Sequence, residues 1–105
     1  PCGFARNLTD GIIRARYRQG SEKAKLIEAH KIYEYEIDLW ATSNVFKKGH
    51  QIRLEISSSN FPRFDRNANT GKPIGKDKEF IAAMQTIHHS NNYPSHITLP
   101  TVPRT

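Results

Sequence analysis

The sequence is poor in the residues that several protein designs depend on. One cysteine in 105 residues, Cys2, cannot close an internal disulfide, so a disulfide scaffold is excluded. No stretch approaches the ~20 apolar residues of a membrane span, and no basic-then-apolar leader opens the chain. The expectation is a soluble segment without a membrane partner, cytoplasmic in preference to secreted. Runs of five like charges, internal repeats and low-complexity tracts are all missing. So is the G-x-S-x-G frame of a hydrolase nucleophile. The first residue is Pro1, not methionine, and the expectation is that these residues belong to a longer or processed product. A chain of this length forms one domain at most.

What is present is charge and alternation. Sixteen Lys and Arg against ten Asp and Glu give a net charge of +6. This permits a nucleic-acid or acidic partner without requiring one. Residues 11–18, GIIRARYR, place Arg14, Arg16 and Arg18 on one side of a period-two pattern and Ile13, Ala15 and Tyr17 on the other. Residues 32–40, IYEYEIDLW, do the same with Glu34, Glu36 and Asp38 opposite Tyr33, Tyr35, Ile37 and Leu39. Period two is the signature of a strand with one wet face. The arginine row and the acid row are expected to lie side by side, each cross-strand pair contributing roughly 0.2–1 kcal/mol. Residues 19–31 read as a loop with room for a brief helix. Lys48-Gly49 marks a tight turn. Residues 51–57, QIRLEIS, form a third strand with Ile52, Leu54 and Ile56 inward. Residues 80–89, FIAAMQTIHH, fit helix or strand on periodicity alone. Residues 90–95 turn through Asn91, Asn92 and Pro94, and residues 96–100 form a short last strand.

The chain is organised around residues 57–71, SSSNFPRFDRNANTG. Phe61 and Phe64 around Pro62 are costly to leave in water, and Asp65, Asn67 and Asn69 at close spacing stabilise turns through their own backbone. A long irregular segment of this kind is commonly functional or disordered. The first half is expected to be held and partly buried; GKPIGKDK, residues 71–78, is expected to be solvated and mobile.

Ser57, Ser58 and Ser59 lack the frame and aligned base that a nucleophile requires, so no catalytic residue is assigned. Asp65-x-Asn67-x-Asn69 imitates half a calcium loop, but Thr70 stands at the sixth position and Lys76 at the twelfth. Asx turns are the better reading. His88 and His89 fall on opposite faces of a strand, and with His96 they lack a zinc-type partner set. No metal or cofactor is therefore expected. Tyr17, Tyr33 and Tyr35 lie opposite the charged faces, whereas single-strand binders mix aromatics and cations on one surface. No nucleic-acid partner is expected. Asn7-Leu8-Thr9 matches a glycosylation sequon, a pattern frequent by chance.

The combination of HQIRLEISSSNFPRFDRNANTG with GIIRARYR, YEYEIDLWATSNVFKKGH and QTIHHSNNYPSHITLPTVP resembles the C-terminal domain of the cocaine esterase and X-Pro dipeptidyl-peptidase family of serine hydrolases. The resemblance spans nearly the whole chain. It implies an all-β fold, roughly the second half of a galactose-binding-like jelly-roll sandwich, with residues 1–105 incomplete without upstream strands. It places the catalytic serine, aspartate and histidine in an absent α/β-hydrolase domain. Residues 80–89 then become a strand. Phe61, Pro62, Arg63, Phe64 and Asp65 are implied to pack where sandwich, hydrolase and cap meet, with Arg63 and Asp65 as a buried pair; Asn67, Asn69, Gly71 and His89 take structural roles. The partners implied are the rest of the hydrolase, or a second chain completing the sandwich, with homo-oligomerisation of the isolated segment. A free-standing sandwich that binds carbohydrate or protein is the alternative.

Overall fold

The computed structural model describes residues 3–103, so the expectations for Pro1 and Cys2 lie outside the described residues. The chain divides into two units, Pro1–Ile56 and Ser57–Thr105. Among the described residues the regular structure is a 3-10 helix, Ala15–Tyr17, and an isolated antiparallel bridge between His89 and Pro94.

In the first unit, residues 9–11 run against residues 37–39. The Thr9 hydroxyl donates to the Leu39 carbonyl. A Cβ at Gly11 would meet Ile37 Cγ2 at 2.9 Å and the Asp38 carbonyl oxygen closer still. The stretches with the arginine and acid rows are therefore neighbours at this end. Beyond it the strand expected over residues 11–18 gives way to the helix. Tyr17 N–H donates to the Arg14 carbonyl at 2.8 Å, and Gly20 N–H to Tyr17 at 3.1 Å. Arg16 and Arg18 consequently do not alternate as a strand would place them.

Arg18 explains why the turn holds. Its Nη1 donates to the carbonyls of Ala15 at 2.9 Å and Lys25 at 2.7 Å. Its guanidinium carbon also sits 4.4 Å from the Tyr33 ring centroid. Tyr33 in turn accepts the Glu28 N–H at 3.0 Å through its hydroxyl, and Lys31 Nζ lies 5.6 Å from the same ring. Tyr33 thereby holds Glu28 and Lys31 of the 25–31 loop, while Arg18 holds its Lys25 end. Glu28 also accepts from Lys31 Nζ at 3.0 Å. That bond, then the charge of Glu28, holds the Lys31 ammonium above its ordinary pKa of 10.5.

The turn expected at Lys48-Gly49 is present: His50 N–H donates to Lys47 at 3.0 Å and Gly49 has φ 84°. Positive φ at the third turn position is the reason glycine stands there. Arg53 and Glu55 form an ion pair at 2.5 Å, the i,i+2 contact that a period-two backbone delivers. The other side of that stretch is open: Ile52, Leu54 and Ile56 keep 56%, 50% and 51% of their surface exposed.

In the second unit, Ala68 is the buried apolar residue, at 8% exposure. Ile81 N–H donates to its carbonyl at 3.0 Å. The last segment makes a tight hairpin: Tyr93 N–H reaches the Ser90 carbonyl at 3.2 Å, the Ser95 hydroxyl donates to the His88 carbonyl, and the His88 and Tyr93 rings meet at 5.4 Å. The turn expected over residues 90–95 is where the pattern placed it.

Candidate functional site

The loop after Ile56 is built by local capping. The Ser57 hydroxyl donates to the Ser59 carbonyl at 2.7 Å, Ser59 Oγ accepts the Phe61 N–H at 3.4 Å, and Phe64 N–H closes a turn on Asn60 at 3.1 Å. The hydroxyls of Ser57 and Ser59 thus serve the backbone. The Phe61–Pro62 peptide is cis. Phe64 is half-buried, while Phe61, Pro62, Arg63 and Asp65 are exposed within this chain. The Arg63 guanidinium carbon lies 5.5 Å from the Phe64 ring centroid.

The polar residues behave as turn formers. Asn67 Oδ1 accepts the Asn69 N–H at 3.1 Å, an Asx turn. Asn69 sits at φ 58°, a left-handed conformation that asparagine tolerates better than most residues. Its Nδ2 donates to the Ile81 carbonyl at 2.8 Å. With Ile81 N–H on Ala68, this ties the 68–81 segment shut at its base. Gly71, at φ 74°, begins the outward excursion. Residues 71–78 are mostly exposed as expected; the Thr70 hydroxyl donates to Asp77, and Lys76 N–H to Pro73 at 3.3 Å.

Arg66, within this loop, and Phe80 and Ile81, beyond it, complete the group. The Arg66 guanidinium carbon lies 4.9 Å from the Phe61 centroid and 4.9 Å from the Phe80 centroid. An arginine between aromatics in one irregular segment is a local hint for Phe61. Nothing local marks Phe80 as the second partner. His89 stands apart from this group: its backbone pairs with Pro94, and its side chain is exposed. In the first unit, Trp40 has φ 62° and 80% exposure, with its N–H on Asp38 Oδ1 at 2.7 Å. A bulky residue at positive φ is an outlier, and this carboxylate of the acid row caps a turn.

These features make a surface of exposed aromatics and cations on a tightly capped loop. Residues 1–98 match the family described as the X-Pro dipeptidyl-peptidase C-terminal non-catalytic domain, and the chain belongs to that family. It is 50% identical over 106 residues to a cocaine esterase of Rhodococcus sp. (strain MB1 Bresler), an alignment that covers 99% of this chain and 18% of the relative. The chain therefore spans about a fifth of the length of the curated relative it matches. No solved structure matches it. Among the described residues no helix is long and apolar enough to cross a membrane.

Proposed function

We propose that this chain is the closing, non-catalytic part of a serine hydrolase that cleaves ester or X-Pro amide substrates, and that its 57–71 loop packs against the rest of that enzyme. In this reading the strands 32–40 and 51–57 enter a jelly-roll sandwich whose remaining strands come from the preceding part of the hydrolase. The nucleophilic serine, its base and the substrate pocket also lie there.

The observation that carries the reading is uncovered surface. The chain exposes 10587 Å². A folded monomer of its 12.0 kDa mass would expose about 6,000 Å², and two separate folded units of half that mass about 7,000 Å² together. The excess is not random: it includes the inward-patterned Ile52, Leu54 and Ile56, and Trp40 and Phe61. Exposed apolar surface on this scale marks a face meant for protein contact.

The test is to express the complete gene product and the 105-residue segment side by side. The expected result is an intact mass several times 12 kDa for the native product, hydrolysis of ester or X-Pro substrates by it, and a segment that self-associates or melts without cooperativity when isolated. A segment that melts sharply as a monomer, independently of concentration, would overturn the reading in favour of a free-standing binding module.

A further inference from the structure

We infer that Arg66 receives an aspartate or glutamate carboxylate from the rest of the hydrolase, as the polar anchor of the loop contact. The inference rests on the packing reading above and names the chemistry of its centre.

Two observations carry it. The first is that Arg66 is held but not satisfied. Its guanidinium carbon is 4.9 Å from each of two ring centroids, Phe61 and Phe80, and cation–π contact engages its positive charge without consuming an N–H donor. No hydrogen bond or ion pair of the guanidinium forms among the described residues, and the side chain is exposed. A planar fork of five donors, positioned by two rings, is matched to a carboxylate and loses little freedom on binding it.

The second is that neither Asp65 nor Glu79, the acids beside Arg66 and Phe80 in sequence, closes on the guanidinium among the described residues. Asp77 takes the Thr70 hydroxyl, while Glu28 and Glu55 hold Lys31 and Arg53 in the other unit. The chain carries a surplus of six positive charges, so a complementary anion comes most readily from outside it. The 60% exposed Phe61 ring beside the guanidinium selects among anions. A free phosphate would leave that ring in water; a protein surface covers the ring and presents the carboxylate together. Arginine is also enriched among energetically dominant interface positions, and phenylalanine among interface residues generally.

The test uses the full-length hydrolase. Arg66→Lys keeps a cation over the two rings and introduces a primary amine, which a carbodiimide joins directly to a carboxylate in contact with it. The expected product, found by peptide mass spectrometry, is a link from position 66 to an Asp or Glu outside these 105 residues. Changing that acid to its amide is expected to abolish the link. A link only to acids of this segment or to another copy of the protein, or no link at all, would overturn the inference. Lys72 and Lys78 separate its failure from that of the packing reading. Links from them to the rest of the enzyme, with none from position 66, leave the packing standing and remove Arg66 from its centre. No link from any residue of the segment removes both. Independently, Arg66→Met, which preserves apolar contact with the rings, is expected to lower the melting temperature and weaken its dependence on salt. Unchanged melting at both low and high salt would also overturn the assignment.

Discussion

Each unit holds an arginine against aromatic rings, and the two arginines are used differently. Arg18 rests on Tyr33 and donates to the carbonyls of Ala15 and Lys25. Arg66 rests on Phe61 and Phe80 and donates to nothing among the described residues. The first is an internal pin: charge, donors and ring all serve one short helix and one loop. The second holds its position through the rings and keeps its donors for a partner. The same side chain is structural where carbonyls surround it and a recognition group where only rings do.

The comparison can be broken or sharpened by substitution, measured in the full-length enzyme. The largest expected effect is Phe64→Ala. If the 57–71 loop is buried by the rest of the hydrolase, losing the ring should cost about 3–5 kcal/mol in a denaturant titration, as large aromatic truncations in packed sites do. Turnover per folded molecule should change much less. Abolished turnover with unchanged melting would show that the loop serves chemistry instead.

Gly11→Ala comes next. The added methyl would press on Ile37 Cγ2 and the Asp38 carbonyl, and overpacking of this kind typically costs about 1–3 kcal/mol. Unchanged stability would mean that residues 9–11 and 37–39 are not neighbours. Arg18→Met should follow at about 1–2 kcal/mol, because two hydrogen bonds and a ring contact go together. Asn67→Ala removes the single Asx bond to Asn69 and should cost about 0.5–1.5 kcal/mol, seen as faster amide exchange at Asn69.

The smallest effect is the Glu28–Lys31 pair, which is exposed. Because Lys31 is held above 10.5 by its bond to Glu28 and then by the charge of Glu28, its contribution is fully present below pH 10.5. It is lost as the pH rises through the raised value. Glu28→Gln should flatten that part of the stability profile and leave the neutral range nearly unchanged.

Much of this was legible in the residues. Gly49 and the Asn91-Asn92 turn stand where local chemistry puts them, and Asn67 caps Asn69 because an asparagine side chain reaches the amide two residues on whatever surrounds it. The family too could be read from the chain, because its motifs recur in order from GIIRARYR to LPTVP. The helix at Ala15–Tyr17 was not legible. Alternation predicts a strand there, and the competing force, Arg18 reaching the Lys25 carbonyl and the Tyr33 ring, comes from residues outside any local window. The Thr70–Asp77 bond was not legible either, because nothing in residues 71–78 marks which acid the hydroxyl will reach.

The sequence by itself therefore determined the turns, the absence of a G-x-S-x-G frame and the membership of the family, since each depends on residue identity within a few positions. Tertiary structure alone decided that Phe80 meets Arg66, that Asn69 is fastened to Ile81, and that Gly11 must stay small beside Asp38. Those contacts join residues far apart in the chain, and no periodicity encodes which distant side chain will close a loop.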